Sequence, residues 1–197
     1  MKKELPLMEA FISNELESPL EINEMALVDK PAIELLFVKF SEDKPIRVEF
    51  DVNEDRRIIS GVALLADTPI YRNIDGNEFN MFMSPKTIED IVVKFFKKGY
   101  ANNLNEMHAT PLNGLTIFES FISDESRGIK PMKGFEDVPQ GSWFISAKVD
   151  NDEVWAKVKD GTFKGFSIQG DMAVRQSKLT IEQALEKINF IVNDIFE

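Results

Sequence analysis

The apolar positions of this chain change period along its length, and each change marks an element. From Ile46 the period is two: Ile46, Val48 and Phe50 share one face, and Ile59, Val62, Leu64 and Leu65 form a second run after Asp55, Arg56 and Arg57. Runs of this length, rich in β-branched and aromatic residues and bounded by Asn, Asp and Pro, predict strands. Asp75-Gly76 tolerates positive φ between Ile70-Tyr71 and the run 79–83, which predicts a β-hairpin. The period then becomes helical. Ile88, Ile91, Val92, Phe95 and Phe96 fall on one stripe, with Ser84 as N-cap and Pro85 at the first helical position. Lys94, Lys97 and Lys98 complement the negative end of the helix dipole before Gly99 terminates it.

Further strands are expected at 115–122, 142–149 and 163–174. Between the last two, the pattern around residues 152–158 suits a short helix that docks through Trp155 and Val158, opened by the turn Asp150-Asn151-Asp152 and closed by Gly161. Residues 180–196 place Ile181, Leu185, Ile188, Val192 and Ile195 at helical spacing, and Thr180 with Gln183 forms a capping-box pattern. The first 45 residues alternate acidic positions with short apolar clusters, and Pro31 forbids an unbroken helix there. The organisation expected is an N-terminal arm (1–45) hinged at 41–45, a β-rich body (46–179) and a C-terminal amphipathic helix (180–197). About six strands with three helices make this an α+β domain.

Composition narrows the chemistry. A hydrophobic fraction of 43% with 16 Phe is too apolar for a disordered chain, and 197 residues suffice for one principal domain. The absence of Cys excludes disulfide frameworks, thiol catalysis and Cys-ligated metals, and fits a reducing compartment. A single His excludes sites that need two imidazoles. With a net charge of −11, nucleic acid is not expected as the main partner, since that binding is driven by Lys and Arg. No apolar run approaches the roughly 20 residues of a membrane span, and Glu4, Pro6, Glu9, Asn14 and Glu15 interrupt any signal core, so no membrane association and a cytosolic location are expected.

Two features could carry catalysis. His108 lies in a polar segment, 102–111, rather than on an apolar stripe; read by itself it is a surface imidazole or a base. Ser167 sits in Lys164-Gly165-Phe166-Ser167-Ile168-Gln169-Gly170, where glycines within a strand-like run signal either a bulge or the close approach of a backbone or ligand. The carboxylates Asp150, Asp152 and Glu153 read as a turn and helix cap rather than a calcium loop.

Taken in order, Leu27-Val28-Asp29-Lys30-Pro31-Ala32-Ile33-Glu34, the series Gly61 through Arg72, the Asn-rich segment ending at His108, Glu119-Ser120-Phe121-Ile122, Gly141-Ser142-Trp143, Val154-Trp155 and the Ser167 segment resemble the XkdF-like serine proteases of tailed phages, relatives of the prohead maturation proteases. The likeness extends to about Val174. It implies a herpesvirus-assemblin-like β-barrel of about six to seven strands with surrounding helices. His108 matches the family's base and Ser167 its nucleophile. The second His that the herpesvirus enzymes use is missing here. Either the pair acts as a dyad or a carboxylate orients His108, with Glu119 the first candidate and Asp171 and Glu106 behind it. Ser120 is the second-ranked nucleophile, and the oxyanion donor is a backbone N–H near Ser167 or the guanidinium of Arg175. The activity implied is endoproteolysis of phage capsid and scaffold proteins inside an assembling prohead in the host cytoplasm. No cofactor or metal is implied, and self-association is left open. The rivals are a noncatalytic virion or scaffold protein that keeps the protease fold, and a β-barrel binding module.

Overall fold

The computed structural model of the protein describes residues 5–31, 49 and 51–177. Twelve strands occur in this part of the chain: β1 (Leu7–Phe11), β2 (Glu21–Val28), β3 (Asp51–Asn53), β4 (Ile58–Leu64), β5 (Ile70–Ile74), β6 (Asn77–Phe82), β7 (Leu104–Glu106), β8 (Thr110–Pro111), β9 (Leu115–Ile122), β10 (Trp143–Val149), β11 (Gly165–Asp171) and β12 (Ala173–Gln176). Two α-helices join them, α1 (Pro85–Lys97) and α2 (Asp152–Lys159). The protein is α+β and mostly β, as the periodicity predicts.

The strands form three four-stranded sheets, ordered β12-β1-β6-β5, β3-β4-β10-β9 and β11-β2-β7-β8. This corrects the expectation of one barrel of six to seven strands. Among the described residues there are twelve strands, and no sheet closes on itself. The cause is pairing between distant segments: β1 runs parallel to β6 and antiparallel to β12, while β2 runs parallel to β7 and antiparallel to β11. The segment expected as an arm therefore supplies an interior strand to each of two sheets. The proposed hinge at 41–45 and the helix at 180–197 lie outside the described residues.

The hairpin at 70–82 and α1 form as predicted. Ser84 Oγ accepts from Thr87 N–H at 3.3 Å, Pro85 opens the helix, and Gly99 ends it at φ 74°. Ile88, Ile91 and Phe95 are buried in a core that also takes Ala10 of β1, Met81 of β6, Met25 and Leu27 of β2, Ile59 of β4, Trp143 and Ile145 of β10, and Phe166 of β11. One apolar cluster thus binds all three sheets to α1, and α2 adds Val154, Trp155 and Val158 to it. A smaller cluster of Val62, Leu65, Ile70, Phe135, Val138 and Phe144 packs separately.

Lys94 departs from its expected role. Instead of meeting solvent at the helix end it is buried, and its ammonium donates to the carbonyls of Ser13, Glu15, Ser18 and Leu20 at 2.8–3.3 Å. Its position three residues after Ile91 puts it on the core side of the helix, where those carbonyls replace its water shell. The loop between β1 and β2 is tied to α1 in this way.

Candidate active site

The third sheet builds the site. Its register aligns Ser167 of β11 with Ala26 of β2, and Ala26 with Asn105 of β7. Directly opposed residues point to the same face of a sheet, so Asn105, Ala26 and Ser167 form one row on the face opposite Leu27 and Phe166, which enter the core. Strand alternation puts Gln169 and its partner Glu24 on the same outer face.

His108 reaches this face from the tight turn between β7 and β8. Met107 and His108 both have left-handed backbones, at φ 51° and 59°. Such conformations cost about 1–3 kcal/mol each for residues other than glycine and persist only where neighbours hold them. Here the neighbours are plain: Met107 N–H donates to Leu27 carbonyl at 3.0 Å, and His108 N–H donates to Asn105 Oδ1 at 2.9 Å. The ring then lies over the row. His108 Nε2 is 2.9 Å from Ser167 Oγ, and Nδ1 is 3.1 Å from Gln169 Oε1. Ala26, with a single methyl between β7 and β11, leaves room for the imidazole to cross β2.

The hydrogen-bond chemistry selects one tautomer. An amide oxygen can only accept, so the proton belongs on Nδ1, which leaves the Nε2 lone pair facing the serine hydroxyl. Behind this pair Asn105, itself buried, donates from Nδ2 to Glu24 Oε2 at 2.6 Å and, more weakly, to Gln169 Oε1 at 3.5 Å. Asn105 therefore fixes the backbone of His108 with its oxygen and the orienting residues with its nitrogen.

The sequence-derived candidates divide. His108 and Ser167 are brought together. Glu119 is not brought to them: it lies on β9 and accepts from Ser146 Oγ at 2.5 Å, and Ser60 Oγ in turn donates to Ser146 Oγ at 2.8 Å. Register explains this outcome, because β9 is the edge of the second sheet and His108 belongs to the third. Glu106 is engaged by Lys157 of α2 at 2.7 Å, and Asp171 is exposed at the far end of β11. Gln169, rather than a carboxylate, occupies the second ring nitrogen. Ser120 Oγ accepts from Trp143 Nε1 at 2.9 Å, a structural duty. Arg175 pairs with Glu9 in the first sheet at 2.8 Å and lies over the Phe11 ring.

The two glycines of the Ser167 segment meet different fates. At Gly170, φ is 152° and an added Cβ would come within 2.1 Å of the Glu21 carbonyl oxygen, at a register shift between Gln169 and Gly170. The bulge reading is right at that end. Gly165 is buried in pairing with Val28.

Along the edge of β11 opens a cleft of about 80 Å³, bordered by Ser167 and by its core-facing neighbours Phe166 and Ile168, with Ile70, Arg72, Met81, Met83 and Met172 among its other walls. Arg72 of β5 is half-buried, and burial lowers its guanidinium pKa from the ordinary value. A larger groove of about 540 Å³, bordered by Pro85, Ser123, Asp124 and Arg127, includes neither His108 nor Ser167. Sequence reasoning missed Gln169, Asn105, Glu24 and Arg72. For Gln169 a signal existed, since strand alternation places it on the side of Ser167. For the others, nothing local pointed to the site. Among the described residues no group of three or more His, Asp and Glu is arranged to hold a metal ion.

Residues 46–176 match the family described as "Putative phage serine protease XkdF". The chain is also similar to the phage-like element PBSX protein XkdF of Bacillus subtilis (strain 168), with 24% identity over 177 residues that cover 86% of this chain and 58% of the relative. The chain thus spans less than two thirds of that relative's length. No solved structure matches.

Proposed function

This chain belongs to the phage XkdF family, and from that premise we propose that it is a serine endopeptidase that cleaves capsid or scaffold segments during head assembly, on an assemblin-like arrangement of strands. The observation that carries this reading is the 2.9 Å contact between His108 Nε2 and Ser167 Oγ, with Nδ1 held by Gln169. A hydroxyl is a weak nucleophile, and a neutral imidazole within hydrogen-bond reach removes its proton as it attacks. Ser167 Oγ bonds to the scissile carbonyl carbon while its proton passes to Nε2. Collapse of the tetrahedral intermediate breaks the C–N bond, and the leaving amine takes that proton. Water then attacks the acyl-enzyme, gives a proton to Nε2 and frees the acid, and Ser167 recovers its hydrogen from the imidazolium. β11 is a sheet edge among the described residues, and an edge carries unpaired backbone N–H groups of the kind that stabilise an oxyanion.

Co-expression with the capsid and scaffold proteins of the same phage, read by intact mass, tests this. Wild type is expected to shorten at least one of them, Ser167→Ala to shorten none and Ser120→Ala to retain processing. Ser120→Ala should lower stability by about 1–2 kcal/mol, because it strands the Trp143 indole N–H. Processing by Ser167→Ala, or none by wild type, would overturn the assignment, the latter in favour of a noncatalytic assembly protein.

A further inference from the structure

Among the described arginines Arg72 alone is both half-buried and without a carboxylate partner; Arg56 also lacks one but is exposed. Arg57, Arg127 and Arg175 each pair with a carboxylate, at 2.6, 3.7 and 2.8 Å. Arg72 pairs with none within 4 Å among the described residues; Nη1 donates to the carbonyl of neighbouring Tyr71 at 3.1 Å. It is half-buried in a wall of Ile70, Met81, Met83 and Met172, and that wall borders Ser167. A partly desolvated cation without a counter-ion is costly to hold, and an anion entering the cleft would relieve that cost. The lowered guanidinium pKa expresses the same desolvation.

We infer that the cleft beside Ser167 receives an acidic side chain, Asp or Glu, of the substrate residue flanking the scissile bond, and that Arg72 pairs with its carboxylate. The inference rests on the serine-protease reading of the same site. The cleft suits such a group: its volume of about 80 Å³ fits a short side chain, its apolar walls cover the methylene stem, and a guanidinium offers a carboxylate two parallel donors. A large aromatic side chain would not fit, and a basic one would meet Arg72.

Peptidyl diphenyl phosphonates test this without a known substrate. Ser167 Oγ displaces one phenoxide from phosphorus, forming a Ser–O–P bond and releasing phenol, and the adduct is read by intact mass. Two probes differing only in a Glu or Gln side chain at the position bonded to phosphorus are compared, beside a small alkyl fluorophosphonate that lacks a side chain. Wild type should react with the Glu probe at least about tenfold faster than with the Gln probe, the scale of one charge-assisted hydrogen bond. Added salt should reduce that ratio in wild type. In Arg72→Gln the ratio should fall to about one while the fluorophosphonate still labels Ser167, and Arg72→Lys should keep part of the preference. Wild-type labelling by fluorophosphonate with no Glu preference overturns the inference and leaves the protease reading standing. An equal slowing of all probes in Arg72→Gln also overturns it, because it would assign Arg72 to the oxyanion or to the fold. Absence of any label on Ser167 in wild type overturns the nucleophile itself, and the inference with it.

Discussion

At the scale of single residues, the site is unusual in giving the imidazole a neutral partner. Gln169 orients the ring and fixes its proton on Nδ1, but it brings no charge to balance the imidazolium that the proposed attack by Ser167 would form. Glu24 stands one residue further back, through Asn105. The geometry therefore assigns Gln169 a positioning role. Gln169→Leu should lower kcat by roughly ten- to a hundredfold with KM little changed, since the ring loses the acceptor that selects its tautomer. Gln169→Asn, which keeps the amide but shortens its reach, should restore part of the rate; a similar loss in both, together with a fall in thermal stability, would mean that Gln169 merely supports the strand. That His108 and Ser167 meet was legible through the resemblance of the segments that carry them, since a lone His and a glycine-flanked Ser read alone leave a surface imidazole and a bulge open. A carboxylate is the expected orienting group, and Glu119, on the next strand after His108, is its first candidate. Sequence order does not tell which sheet a strand joins, and Glu119 joined another.

At the scale of elements, the third sheet works because its middle strand is small where the imidazole crosses it. Ala26 is fully buried between Asn105 and Ser167, yet its neighbours Met25 and Leu27 are large and turn into the core. Ala26→Leu would add three carbons to the outer face, directly beneath the ring. The expected outcome is a folded protein that has lost most of its reaction with a fluorophosphonate, because the turn carrying His108 is pushed away from Ser167. The stability cost should be about 1–3 kcal/mol, as for other overpacked sites. Retained labelling would show that the ring does not cross over Ala26. Local elements were read well from the chain: the hairpin, the caps of α1, and α2 with its Asn151 cap all follow from turn and capping chemistry within a few residues. Lys94 shows the limit of that method. Its place near a helix end suggested a solvated partner of the dipole, but the core-facing side of the helix continued through it, and four carbonyls from a loop 74–81 residues earlier in the chain took it in.

At the scale of the whole molecule, the architecture depends on strands brought together across most of the chain. Glu9 of β1 sits opposite Arg175 of β12, and Glu24 of β2 opposite Gln169 of β11. Periodicity can identify each strand but carries no information about partners so far apart, which is why the N-terminal segment reads as a separate arm; the single barrel is what the family resemblance implies, and the three open sheets follow from neither. Glu21, the first residue of β2, is one of the joints that hold this N-terminal segment to the rest. Lys98 donates to both of its oxygens at 2.9 and 3.0 Å, Tyr100 donates at 2.7 Å, and Lys94 lies 3.4 Å away. Burial alone would raise its pKa, but the hydrogen bonds from Lys98, Tyr100 and Lys94 together outweigh that and hold it below the usual carboxylate value. A carboxylate whose pKa is lower in the folded than in the unfolded chain contributes stability that is complete above the unfolded value, about 4.3, and disappears as pH falls through the folded one. Glu21→Gln, which keeps the shape and one acceptor but removes the charge, should therefore be less stable than wild type in urea at pH 7, and the difference should shrink steadily below about pH 4. A gap between the two proteins that stays constant from pH 7 to pH 3 would show that the ionised carboxylate adds nothing, and that packing alone fastens β2 to the end of α1.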